Sequence, residues 1–366
     1  MKKRVLLVSC EGLGNGGVQA IMMGIVRKLS DDFHFDMLLF TSEKRYYDDE
    51  FLTFGGKIFR IPNYEGNCSF LKRIDYYVRD IRVFMQLKSI FNKEEPYDVI
   101  HCNREYENAI ILKLAAKYQI PIRIAQAHII HGKRNAVCTL LDKFRQKIAN
   151  KYATERIGCS ESACVSLFSK DVKYQIVNNF YNDDIFYPRN KEVETNKVLT
   201  LVQVGAISNI KNQKFSVEVL ENIRNLGIDA KLRIIGFDMD GDYKQQVLNK
   251  IIELSLKEYV EFYPGDIEIS HVLSTSDCFI MPSYHEGFGI ALIEAQAVGL
   301  HSFASDTIPP STNCGGVDYL SLSLGSLYWA TKIVDWFKCY KPDAIDTSKY
   351  KMSLVINQYK HLYNKS

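Results

Sequence analysis

No apolar run in these 366 residues approaches the roughly 20 needed to cross a bilayer, which excludes an integral membrane protein. The nine cysteines are scattered, without a C-x-x-C pair or a regularly spaced histidine partner. That pattern argues against a disulfide framework and against a structural zinc site, and it predicts a reducing, cytoplasmic setting. Met1-Lys2-Lys3-Arg4 is basic, but the apolar stretch after it is short and runs into Glu11 and a glycine cluster, so it reads as a first buried strand rather than a leader. Charge of one sign is scarce as well. The net charge is +3, with 28 Lys+Arg against 22 Asp+Glu through Tyr187 and 18 against 21 beyond it. That imbalance is too small for a nucleic-acid binder, although the more basic first half suits an anionic surface or a phosphorylated lipid. Short internal repeats and low-complexity segments are also missing.

The chain exceeds the usual size of one hydrophobic core, which predicts two domains. Short runs rich in Val, Ile and Leu alternate with longer amphipathic stretches, the pattern of parallel strands joined by crossover helices. The class is α/β, doubly wound. Strands are expected at 4–9, 36–40, 57–61, 98–102, 122–127 and 156–159, then at 199–204, 231–235, 260–263, 278–281 and 302–304. Between the two sets lies a polar, charged stretch, 182–197, with Pro188-Arg189-Asn190-Lys191 at its centre. The predicted division is therefore a first Rossmann-like domain over 1–187 and a second over 188–347. Each sheet should carry a ligand crevice at the carboxyl ends of its strands, and two facing crevices would make an interdomain site.

The most informative segment follows the apolar strand 278–281 and opens an apolar helix: Ser283-Tyr284-His285-Glu286-Gly287-Phe288-Gly289-Ile290-Ala291-Leu292-Ile293-Glu294. Its glycines let backbone amides approach a ligand closely. The unpaired N–H groups of Gly287, Phe288, Gly289 and Ile290, with the positive end of the helix dipole, favour a phosphate. Glu294 lies one turn into the helix, where a carboxylate can accept hydrogen bonds from neighbouring ribose hydroxyls. Glu286 precedes the loop and points toward whatever the phosphate carries. The pair brackets a nucleotide sugar, and the competing reading is a surface loop residue beside a solvated helix position.

The string E-G-F-G-x-x-x-x-E-A-x-A-x-G resembles the E-x(7)-E signature of retaining family 4 glycosyltransferases of the GT-B fold, in their capsular and exopolysaccharide form. The resemblance implies two Rossmann-like domains, with a C-terminal helix at about 348–364 completing the first domain. It places Glu286 near the donor sugar, as the catalytic carboxylate, and Glu294 on the ribose. Gly14-Asn15-Gly16-Gly17 after the first strand looks like that family's N-domain glycine loop, which puts Gly16 and Gly17 near the donor phosphate. Strand 122–127 ends in His128 and resembles the family's A-H-S-H segment, which makes His128 a candidate polar contact to the donor sugar; His131 competes for that role. Val204-Gly205-Ala206-Ile207-Ser208-Asn209-Ile210-Lys211-Asn212 resembles the V-G-R-x-x-x-x-K-N element, whose arginine and lysine bind the pyrophosphate. Lys211 matches the lysine; Ala206 stands where the arginine would be, so a bidentate phosphate contact is missing.

The function implied is transfer of a hexose-type sugar from a nucleotide sugar, a UDP-sugar by preference, to a lipid-linked oligosaccharide acceptor in surface polysaccharide assembly. The alternative implied by Ala206 is a catalytically weak or non-catalytic partner subunit. No metal or cofactor is expected, because fixed amides and Lys211 can stabilise the leaving diphosphate. Asp238-Met239-Asp240 reads as a turn and helix cap rather than a metal motif. Finally, Val137, Leu140, Leu141, Phe144, Ile148 and Tyr152 are expected on one helical face, with Lys143, Arg145, Lys147 and Lys151 on the rest and Lys133 and Arg134 just before. This basic helix, 133–152, could pack its apolar stripe on its own domain or touch anionic lipid at the inner face of the plasma membrane.

Overall fold

The computed structural model describes all residues except 1, 10, 64–68, 130–135, 189–197, 266 and 366. His131, Lys133 and Arg134, and most of the predicted interdomain stretch, lie outside the described residues. The chain divides into two compact units, Met1–Phe180 with Met352–Ser366, and Tyr181–Lys351.

The first unit is built on β1 (Lys3–Val8), β2 (Phe33–Leu39), β3 (Ile58–Arg60), β4 (Val99–Cys102), β5 (Ile122–Ala127), β6 (Glu155–Gly158) and β7 (Gln175–Ile176). Their order in the sheet is β3-β2-β1-β4-β5-β6-β7, and every pair is parallel. Val5, Leu6, Leu7 and Val8 are wholly buried, as expected of a central parallel strand covered on both faces. The helix Met352–Asn364 returns to this unit and seals it. Tyr363 packs edge-on against Phe33, ring centroids 5.4 Å apart. Its hydroxyl lies 2.8 Å from His101 Nδ1, while His101 Nε2 is 2.7 Å from Gln126 Oε1 and the Gln126 amide donates to Tyr359 at 2.9 Å. A buried polar chain thus joins β4, β5 and the C-terminal helix.

The second unit holds β8 (Leu199–Val204), β9 (Ala230–Ile235), β10 (Val260–Tyr263), β11 (Cys278–Met281), β12 (His301–Ser305) and β13 (Val317–Leu320), in the order β10-β9-β8-β11-β12-β13, again all parallel. Its core gathers Leu199, Leu201, Ile234, Val217, Leu220, Ile280 and Phe303 with the fully buried Trp329. That indole donates to Ser321 O at 3.1 Å and meets Phe215 edge-on. In both units the chain order reverses beside one strand, at β1/β4 and at β8/β11. Such a switch point splays the following loops apart and opens a crevice at the strands' carboxyl ends.

The basic helix spans Ala136–Tyr152, and its faces differ from the sequence expectation. Leu140 and Phe144 are exposed rather than buried, whereas Arg145 is 1% exposed. The Arg145 guanidinium makes a two-pronged pair with Asp80, Nε to Oδ2 and Nη2 to Oδ1 both 3.0 Å. A buried planar fork satisfied by a carboxylate lets an arginine take a core position. The apolar stripe is turned outward as a result.

Candidate functional site

In the second unit the loops flanking the β8/β11 switch point meet. After β8 the chain turns through Gly205, whose φ is +152°, and runs on to the short helix Asn209–Lys211. A Cβ on Gly236, at the end of the neighbouring β9, would sit 2.0 Å from Gly205 O, so only glycine permits this approach. Asn212, in the left-handed conformation, donates its amide to Pro282 O at 3.2 Å, and Tyr284 N donates to Ile210 O at 2.9 Å. These bonds fasten the loop after β8 to the loop after β11. Across that junction the Lys211 ammonium pairs with the Glu286 carboxylate, the side chains being 23% and 10% exposed.

Glu286 is held from a second direction, because Ser283 Oγ donates to its Oε1 at 2.8 Å. The Ser283 carbonyl in turn accepts from Ser305 Oγ at 2.5 Å and Thr307 Oγ1 at 3.0 Å, both beyond β12. Three loops therefore fix one carboxylate. Immediately after it, Gly289 adopts φ +91° and N-caps the helix Ile290–Ala297 with no side-chain capping bond. A left-handed turn of this kind favours glycine, and the uncapped first-turn amides form an anion-binding end. Phe288 is buried edge-on against Tyr350, ring centroids 5.5 Å apart, so it supports the loop from beneath while its amide belongs to the loop backbone.

Glu294, one turn into that helix, keeps a little solvent exposure and has no hydrogen-bond or ion-pair partner among the described residues. Burial pushes its carboxyl up to about 7. An unpartnered, desolvated carboxylate is costly unless a ligand supplies donors. Asp240 accepts from Tyr243 N at 3.2 Å and caps the helix Gly241–Glu253, with Asp238 Oδ1 accepting from Asp240 N. This pair is a turn and a cap.

In the first unit, Gly16 N-caps the helix Gly17–Leu29 without a side-chain capping bond, and Gly16 and Gly17 are exposed. His128, at the end of β5, is buried. Its Nε2 lies 2.7 Å from Asn103 Oδ1, its backbone N–H donates to Glu105 Oε1 at 2.8 Å, and its Nδ1 has no partner among the described residues. Burial, with a smaller contribution from His101, lowers its pKa to about 3, so the ring is neutral. The Asn103 amide also donates to Val8 O at 3.1 Å, tying together the ends of β1, β4 and β5. Glu105, the other partner, has φ +56°, a strained conformation for a side chain of its size. Asn103, Glu105 and Ser283 escaped the sequence reading. The available signal was polar residues directly after the buried strands 99–102 and 278–281.

Two parallel-sheet units, one presenting a lysine, two carboxylates and an uncapped helix end at its switch point, define a sugar-transferring enzyme of the nucleotide-dependent kind. The chain is a glycosyltransferase of the GT-B fold. Residues 186–312, which include Lys211, Glu286 and Glu294, match the family model Glycosyl transferases group 1. EpsF of Bacillus subtilis (strain 168) is 26% identical over 351 residues, 91% of this chain and 87% of that protein. The UDP-Gal:alpha-D-GlcNAc-diphosphoundecaprenol alpha-1,3-galactosyltransferase of Escherichia coli is 26% identical over 313 residues, 79% and 76% of the two chains. Among solved structures, Anabaena Alr3699/HepE in complex with UDP-glucose superposes with a TM-score of 0.76 over 98% of both chains at 13% identity, which is a likeness of fold.

Proposed function

We propose that this glycosyltransferase takes a hexose-type sugar from a UDP-sugar and passes it, with retention, to a lipid-linked glycan acceptor in surface polysaccharide assembly. The observation that carries the proposal is the Lys211–Glu286 pair at the β8/β11 switch point, beside the uncapped helix end and the desolvated Glu294. The diphosphate lies on the amides of Gly287 to Ile290 and against Lys211, and the ribose hydroxyls donate to Glu294. As the bond from sugar to diphosphate breaks, negative charge builds on the leaving group, and fixed amides and an ammonium stabilise it without a metal. Glu286 faces the developing positive charge of the sugar ring. In the first unit, the exposed amides of Gly16 and Gly17 are assigned to phosphate and the open Nδ1 of His128 to a sugar hydroxyl. The acceptor class is supported by the E. coli relative, whose name gives a diphosphoundecaprenol-linked acceptor.

The test is calorimetric titration with a panel of UDP-sugars, followed by transfer of labelled sugar into a membrane lipid extract. Micromolar binding with turnover supports the reading; transfer left unchanged by Glu286→Ala and Glu294→Ala would sink the site. A second reading, a subunit that binds without turning over, is favoured by Ala206 and by Glu286 already neutralising Lys211. Binding with no transfer for any donor would select it.

A further inference from the structure

The outward-turned stripe of the helix Ala136–Tyr152 has a counterpart on the helix Ser69–Lys93. On the former, Leu140 is 72% and Phe144 60% exposed; on the latter, Val78 is 45%, Ile81 65% and Met85 64% exposed. Spacings of three and four residues put each set on one helical face. The buried Arg145–Asp80 fork joins the two helices, each of its members one residue from an exposed apolar side chain. Ser69–Lys93 leads from β3 to β4, and Ala136–Tyr152 leads from β5 to β6. Both crossovers advance the same way along the sheet, and right-handed connections then place both helices on the same face of it. Their outward stripes look away from the sheet on one side.

The charge on these stripes is of one sign. Lys88, Lys143, Lys147 and Lys151 are exposed, none is paired with a carboxylate, and no exposed acid interrupts either face among the described residues. A second copy of the chain would bring lysines against lysines. A protein partner would have to match five large apolar side chains spread over two helices and an all-basic rim. An anionic bilayer surface satisfies both features at once, since it accepts apolar side chains at the acyl boundary and places negative headgroups against the lysines.

We infer that the outward faces of helices Ser69–Lys93 and Ala136–Tyr152 form a docking surface for an anionic phospholipid membrane. The surface rests on exposure and charge and is independent of the donor site. It differs from the basic helix anticipated in the sequence, because the apolar residues that insert are those expected in the core and Arg145 is withdrawn from the lipid.

Sedimentation of the full chain with vesicles tests the proposal, using phosphatidylcholine alone and an equal mixture of phosphatidylcholine and phosphatidylglycerol. Binding to the anionic vesicles at least tenfold tighter than to the neutral ones, and weakened by high salt, is expected. Leu140→Asp combined with Phe144→Asp should lose at least tenfold, and Lys143→Glu combined with Lys147→Glu a comparable factor, each lysine contributing about fivefold. All four positions are exposed, so the thermal midpoint should stay unchanged, and UDP-sugar binding, measured separately, should stay too. Equal binding to both vesicle types, binding insensitive to these substitutions, or no vesicle binding would overturn the proposal. So would a concentration-dependent dimer that Phe144→Asp dissociates without altering vesicle binding. None of these outcomes bears on the donor assignment.

Discussion

The two units solve the same problem at their switch points in opposite ways. The second buries ions and pairs them: Lys211 with Glu286, with Ser283 as an added donor. The first buries imidazoles and strips them of charge, burial holding His101 at about 4 and His128 at about 3. Partial exposure near a ligand site allows an ion pair to persist, whereas complete burial favours the neutral ring. The contrast predicts that the second unit governs electrostatics of catalysis and the first responds to acid through its stability.

The sharpest way to break this contrast is at Glu286. Glu286→Ala should lower kcat by about 100- to 1000-fold, on the scale of removing a group aimed at transition-state charge. If His128→Ala produced the larger loss in the same assay, the assignment of chemistry to the second unit would fail. Next in size is the acid response of the first unit. A histidine whose folded pKa lies below its unfolded value stabilises fully above about pH 6.5, and that stability is lost as pH falls toward the folded value. His101 and His128 together should therefore cost the first unit about 2–4 kcal/mol between pH 6.5 and 4. Hydrogen exchange should show β4 and β5 opening before β8 and β11 over that window. Simultaneous opening would remove the distinction.

Glu294 gives a smaller effect of opposite sense. Its folded pKa is raised to about 7, so its contribution is present below the unfolded value near 4.3 and is lost as pH rises toward 7. Glu294→Gln should then raise the stability of the free protein at pH 8 by about 1–3 kcal/mol and flatten the slope from pH 4.5 to 7. The same substitution should weaken UDP binding and abolish its tightening between pH 6 and 8, because the ionised carboxylate is the better acceptor for ribose hydroxyls. Calorimetry at three pH values measures both. The smallest effect is expected for Tyr363→Phe, which leaves His101 Nδ1 without its hydroxyl and should destabilise the first unit by about 1–2 kcal/mol.

The strands that carry the sites were legible because each is a continuous apolar run buried on both faces, as at 199–204 and 278–281. The edge strands Gln175–Ile176 and Val317–Leu320 were not. The first is two residues long and exposed, and the second interrupts its apolar residues with an exposed Asp318. Lys211 and Glu286 could each be identified from local motifs, but their pairing spans 75 residues and depends on Asn212 and Tyr284 fastening the loops. The helix Ala136–Tyr152 was misread for the same reason. Hydrophobic periodicity assumes that an arginine faces water, and only a distant Asp80 reverses that preference. Ser283, Asn103 and Glu105 have no individual signature; their importance lies in what they hold.

The helix Met352–Asn364 also bears on the order in which the protein can be made. The second unit is one uninterrupted stretch of chain, able to close as soon as its last strand has been synthesised. The first unit waits for Tyr359 and Tyr363, which complete the buried chain through Gln126 and His101. At roughly 5–20 residues per second, that wait lasts about ten to forty seconds after Phe180 is joined. During it, two imidazoles and the apolar face of helix Gly17–Leu29 lack their final cover, so the earlier half of the polypeptide, not the later one, is the natural client of a ribosome-associated chaperone.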